Sequence, residues 1–128
     1  MTKLLEAAPV LLVADVVVAS SFFRDQLGFT QIDLYNHPAD FAIIGRDQVH
    51  IMLAQKPASA SHLPHWRVAP KTNNIYIWVA DVDALYAEVK QRGAPIDFTL
   101  YTTPWGTREF GVQDPDGHDI AFGEVLKP

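Results

Sequence analysis

The chain has 128 residues and a mass of 14.3 kDa, enough for one domain or for two half-sized modules that share a core, and its 48% hydrophobic and 20% charged residues exclude a disordered or fibrous chain. It contains no cysteine, which excludes disulfide staples, thiolate metal sites and cysteine nucleophiles. Fifteen acidic against ten basic residues give a net charge of −5, which argues against nucleic acid as a partner and for a cationic one.

The first residues carry a single lysine, an internal Glu6 and no long apolar run. Neither a signal peptide nor a membrane span is expected there, and the cytoplasm is the expected location. An apolar, strand-like run then leads into Val13-Ala14-Asp15-Val16. Asp15 stands where a helix N-cap is wanted, and Val18, Ala19, Phe22, Phe23 and Leu27 give apolar pairs four apart. Gly28 closes that helix, because a positive φ just past a helix end is cheap only for glycine. Short β-like runs follow at residues 29–35, 41–45 and 49–54, punctuated by Asn36-His37-Pro38 and Arg46-Asp47.

Residues 56–71, with Pro57, Pro64 and Pro70, are too long and irregular for a turn and read as a linker that also covers something. The pattern then repeats. Val79-Ala80-Asp81-Val82 restates the earlier tetrapeptide, Asp81 or Asp83 can cap, Val82, Leu85 and Val89 make the apolar stripe, and Gly93 ends the helix. Strands are predicted at residues 96–102, 108–113 and 119–124, separated by Thr103-Pro104-Trp105-Gly106 and Asp114-Pro115-Asp116-Gly117. The chain is therefore an α+β domain of two βαβββ modules with curled mixed sheets, at about residues 8–55 and 72–125.

One helix cannot cover both faces of a sheet, so the modules are expected to pool their sheets or to pair with a second chain. Alternation puts Ile75, Ile77 and Val79 toward the second helix and Tyr76 and Trp78 away from it. It likewise puts Val49, Ile51 and Leu53 toward the first helix, with His50 and Met52 opposite. Two such sheets would enclose a cleft lined by Tyr76, Trp78, His50 and Met52, with small residues near Ala121.

The βαβββ repeat ahead of Asp-Pro-Asp-Gly resembles the vicinal-oxygen-chelate superfamily of glyoxalases, ring-cleaving dioxygenases and antibiotic-resistance proteins. Within it, Ala8-Pro9-Val10-Leu11, the run from Phe22 to Phe29, Leu85-Tyr86-Ala87-Glu88 and above all Pro104-Trp105-Gly106-Thr107-Arg108-Glu109-Phe110 are similar to the bleomycin resistance proteins. The resemblance implies a strand-exchanged homodimer with the crossover at Pro9, and ligand clefts between subunits. It also implies a non-catalytic function, in which a planar, cationic, bleomycin-type drug is bound and sequestered. The metal-dependent relatives place ligands at points of the repeat that fall here on Ala8, Asn74 and Ala121, none of which suits a divalent ion. No catalytic residue, metal or cofactor is therefore expected. A metal-dependent lyase, isomerase or dioxygenase, or a binder of an unrelated metabolite, remains as the alternative.

The expected ligand contacts are Trp105 on its exposed turn, Tyr76 in place of a family tryptophan, Phe41 and His50 on strands of the first module, Trp66 in the linker, and Asp33 as an added negative charge. Each residue also has a plainer reading. Phe41 and His50 would serve equally as core and sheet-face residues, Trp66 as a plug, and His62 and His65 as solvated loop residues. The five acids Glu109, Asp114, Asp116, Asp119 and Glu124 occur with no lysine or arginine among them, and beside an aromatic cleft they would concentrate a cation.

Overall fold

The computed structural model describes residues 1–127 and forms two separate four-stranded sheets, each with one long helix. The first module runs β1 (Val10–Val13), α1 (Val16–Leu27), β2 (Gln31–Tyr35), β3 (Phe41–Arg46) and β4 (Val49–Gln55), with sheet order β1-β4-β3-β2. A linker holding the short helix α2 (His65–Val68) leads to β5 (Ile75–Trp78), α3 (Val82–Gln91), β6 (Ile96–Thr102), β7 (Thr107–Gln113) and β8 (Asp119–Val125), with order β5-β8-β7-β6. Both sheets are mixed, since β1 lies parallel to β4 and β5 parallel to β8 while the other pairs are antiparallel. The first strand pairs with β4 of its own chain, Val10 opposite Met52. No helix among the described residues is long and apolar enough to cross a membrane.

The local signals act as the residue types require. Asp15 accepts hydrogen bonds from the backbone N–H groups of Val17 and Val18 at 2.9 and 3.1 Å, satisfying two of the donors that open α1. Gly28 ends that helix at φ 73°, and its N–H returns to the Phe23 carbonyl. Asp81, not Asp83, caps α3 through the Ala84 N–H, because the helix starts at Val82 and Asp83 already lies in its first turn, where it pairs with Arg108. One expected member of the α1 stripe fails: Val18 is 51% exposed. Five residues before Phe23, it stands about 140° around the helix from that buried ring.

Each sheet seals one face against its helix. Leu11, Val13, Ile44, Ile51 and Leu53 do so in the first module, and Ile77, Phe110, Val112, Ile120 and Phe122 in the second. The modules meet on these helix-facing sides. There the Arg46 guanidinium makes two 2.8 Å hydrogen bonds to the Glu88 carboxylate and donates to the Leu27 carbonyl at 2.9 Å, joining β3, the end of α1 and α3. The guanidinium, helped by Arg92, holds the Glu88 carboxyl below the usual carboxylate range. Beside this pair runs a groove of about 410 Å³ whose apolar wall includes Leu27, Phe29, Ile77, Leu85 and Phe122.

The linker covers the β7–β8 turn. Trp66 donates its indole N–H to the Gly117 carbonyl at 2.7 Å, and the His62 ring stacks on His118 at 5.0 Å. His62, expected to be solvated, is thus half-buried, because the apolar ring plane finds a second imidazole beneath the chain; His65 is exposed as expected. His118 is itself buried and paired with Asp114 at 2.7 Å, while Asp116 accepts from the Ala14 N–H and ties the turn to the first module.

Replacing Arg46 by alanine leaves the half-buried Glu88 with Arg92 alone and removes the bond to the Leu27 carbonyl, so we expect unfolding free energy to fall by about 1 kcal/mol, with Arg46→Lys recovering only part because it loses the bidentate geometry. Urea unfolding followed by circular dichroism measures both changes.

Candidate functional site

Strand alternation sends one face of each sheet to its helix and leaves the other open. On the second module the open face is built in rows across the strands. Trp78, Gly123, Glu109 and Tyr101 form one row in register, and Tyr76, Ala121, Gly111 and Phe98 form the next. Register shifts in β6 between Ile96 and Tyr101 break strict alternation, which brings both Phe98 and Tyr101 onto this face.

Two glycines make the face possible. A Cβ at Gly111 would collide with the ring of Phe98, and one at Gly123 with the ring and hydroxyl of Tyr76. The rings therefore lie across bare backbone. From that position Tyr76 donates its hydroxyl hydrogen to Glu109 Oε2 at 2.5 Å, and Tyr101 donates to Oε1 at 2.9 Å. Burial, reinforced by the carboxylate, pushes both phenols above their ordinary pKa. Tyr76 also lies 4.7 Å from Trp78, centroid to centroid, and Trp78 is 60% exposed. Asp119, at the far end of the face, is buried; burial first and the neighbouring Asp97 next push its carboxyl up to about 6, with one oxygen left without a hydrogen-bond partner.

The first module's open face carries Asp33, Phe41, His50 and Met52, with Val10 and Leu12 on β1 exposed beside them. Phe41 packs against Tyr35 at 6.0 Å, Asp33 accepts from the Gln31 side-chain amide at 2.9 Å, and the Glu6 carboxylate approaches His50 Nδ1 to 3.1 Å without hydrogen-bond alignment. The single cleft expected from Tyr76, Trp78, His50 and Met52 does not close within one chain. The modules join by their helix-facing sides, so the two open faces remain apart and exposed.

Trp105 sits at the tip of the β6–β7 hairpin, 72% exposed. The hairpin below it is rigidly tied, Thr103 N–H donating to the Thr107 carbonyl at 2.7 Å and the two threonine hydroxyls 2.8 Å apart. Trp66 lies apart from both open faces' strands, on α2, with its N–H given to Gly117. The five acids do not act together. Asp114 and Asp116 build the turn, Glu124 accepts from the Val82 N–H at the start of α3, and only Glu109 and Asp119 belong to the open face. Tyr101, Phe98 and the two-tyrosine clasp on Glu109 escaped the sequence reading. The glycines inside two strands, Gly111 in β7 and Gly123 in β8, were the available signal.

The superfamily's metal chemistry can be tested on the donor set. Ala121 offers no donor atom, and Asn74 uses its side-chain oxygen to accept from the His65 N–H at 3.2 Å. Asp114, Asp116 and His118 place ligand atoms within 4.8 Å of one another, yet Asp114 accepts from Asp116 and His118 backbone N–H groups and pairs with the His118 ring, and Asp116 accepts from Ala14. These residues are committed to holding a turn and do not fit a catalytic divalent site with three free donors.

Because the folded-state pKa of Asp119 lies above its unfolded value, the folded state binds the extra proton between about pH 4 and pH 6, and this group's contribution to stability falls as pH rises through that window. We expect Asp119→Asn to raise the melting temperature at pH 7 and to leave a much smaller gain at pH 4, measured by thermal circular dichroism. Gly123→Ala is expected to displace Tyr76 and break its hydrogen bond to Glu109 while sparing the helix-facing core, seen as an altered near-ultraviolet spectrum with an unchanged far-ultraviolet one.

Comparison with known proteins places this geometry in a family. The chain is 30% identical over 134 aligned positions to the bleomycin resistance protein of Geobacillus stearothermophilus and to that of Staphylococcus aureus, covering 97% of this chain and 99% of each relative. Among solved structures it resembles the bleomycin-binding protein of the bleomycin producer Streptomyces verticillus in complex with copper(II)-bleomycin, at 30% identity, a TM-score of 0.70 and full coverage of both chains. A glyoxalase-related enzyme of Clostridium phytofermentans shares the fold, with a TM-score of 0.74 at 21% identity over 98% of each chain. With residues 6–122 matching the family as well, the chain belongs to the glyoxalase/bleomycin resistance protein/dioxygenase superfamily.

Proposed function

We propose that this protein binds a planar, cationic antibiotic of the bleomycin type and protects by sequestering it, without changing it chemically. The observation that carries the reading is the nearly full-length likeness, at 30% identity, to bleomycin resistance proteins and to a bleomycin-binding protein. The open faces and the hairpin beside them support it, since they offer what such a ligand needs: flat aromatic surface in Trp78, Tyr76 and Trp105, and negative charge at Asp33, Glu109 and Asp119 with no lysine or arginine pairing to it among the described residues.

In this reading the ligand lies in a cleft closed by two copies of the chain, the first module of one facing the second module of the other. Trp105 and Tyr76 stack on its rings, Phe41 and His50 contribute from the opposing sheet, and Asp33 adds charge. Trp66 acts at a distance by bracing the Gly117 turn, its ring still 37% exposed. Val10 and Leu12, exposed on the edge strand, gain cover in such a dimer, and exchange of β1 between copies would replace its pairing with β4 by the same pairing in the partner. Free drug then falls in proportion to the protein present.

Titration of the purified protein with bleomycin is expected to quench tryptophan fluorescence at micromolar drug, with the drug recovered intact by chromatography. Trp105→Ala should weaken binding roughly tenfold, the scale of one lost aromatic stack, without unfolding the chain. Absence of quenching by a folded, dimeric protein overturns the reading.

A further inference from the structure

We infer that Glu109 is the residue that selects the charge of the ligand: held by the hydroxyls of Tyr76 and Tyr101 on the second sheet's open face, it is the docking point for a cationic nitrogen group, an ammonium or an amidinium. The inference rests on reading that face as a ligand site, and it goes further by assigning charge recognition to one carboxylate.

Glu109 is 8% exposed, and among the described residues no lysine, arginine or histidine pairs with it. A carboxylate so deeply placed normally has a cation beside it, because desolvating the charge costs several kcal/mol that neutral donors offset only in part. Here the donors are two phenols, one on each oxygen. They fix the carboxylate in one orientation, yet each oxygen retains a lone pair for a further donor. The charge is therefore oriented, partly desolvated and uncompensated.

The neighbours match a cation in the same way. Trp78 and Tyr76, 4.7 Å apart, and Phe98 and Tyr101, 6.0 Å apart, flank the carboxylate on both sides with π faces and edges. The other buried carboxylate of the face, Asp119, has an oxygen without a partner, so the face carries negative charge at both ends of its aromatic strip and positive charge at neither. A neutral or anionic ligand would leave Glu109 more deeply buried and still unpaired. A cationic nitrogen group supplies the missing charge and the missing N–H donors together.

The test uses the folded dimer and two flat probes of equal size, naphthalene amidinium and neutral naphthalene carboxamide, together with bleomycin, all by calorimetric or fluorescence titration. Wild type should favour the amidinium by about tenfold or more; Glu109→Gln should lose that preference, and Glu109→Asp should keep part of it. Wild type that binds the two probes equally overturns the inference without any variant, as does a folded Glu109→Gln protein that retains the preference. If bleomycin fails to bind while the Glu109-dependent preference for the amidinium is present, the sequestration reading falls and the charge assignment stands. If bleomycin binds and Glu109→Gln leaves both titrations unchanged, the charge assignment falls and sequestration stands.

Discussion

A four-stranded sheet has two faces, and each module of this protein owns one long helix. That imbalance governs the rest of the structure. The helices seal one face of each sheet with aliphatic and aromatic side chains, and the modules then use those sealed sides to meet, through Arg46, Glu88 and the end of α1. The opposite faces have no helix left to cover them. A small chain that leaves two sheet faces bare has either to place polar residues there or to reserve them for another molecule. On these faces Trp78, Tyr101, Val10 and Leu12 are all left exposed.

On the second sheet the bare face is shaped as much by what is missing as by what is present. Gly111 and Gly123 remove side chains from the middle of the strip, so Phe98 and Tyr76 lie flat where a strand would otherwise raise a ridge. Because Tyr76 lies flat, its hydroxyl reaches Glu109 one row away, and a carboxylate that would be intolerable in an apolar face is held there by two phenols. The same logic sets Asp119 apart: with no donor for one oxygen and Asp97 nearby, it holds its proton to higher pH. The flat aromatic strip and the raised Asp119 carboxyl thus come from one arrangement.

Much of the site's chemistry depends on parts of the chain that do not touch it. The linker clasps the β7–β8 turn through Trp66 and His62, and Asp116 ties that turn to Ala14 in the first module. The turn begins β8, the strand that carries Ala121 and Gly123 between β5 and β7. Holding the turn therefore holds the register that sets Trp78 beside Gly123 and Glu109. The acids of Asp-Pro-Asp-Gly act here, as hydrogen-bond acceptors for backbone and ring N–H groups.

Sequence alone determined the elements of the two modules and their order, though not the short α2 within the linker, because helix caps, terminal glycines and strand alternation are short-range effects that act the same way in any fold: Asp15, Gly28 and the 75–78 alternation all behave as their residue types dictate. It also determined which side chains leave each sheet on the helix-free side for β4 and β5, so Tyr76, Trp78, His50 and Met52 could be placed on faces, whereas the faces of Phe41 and Asp33 came only with the pairing register. Only the tertiary structure decided which of these come together. The row that joins Trp78, Glu109 and Tyr101 is made of residues from three strands, fixed by pairing register and by irregularities in β6 that local sequence does not signal. The separation of the five acids into turn, helix cap and open face is decided the same way, since a carboxylate's role follows from the donor it meets, and those donors lie up to 102 residues away along the chain.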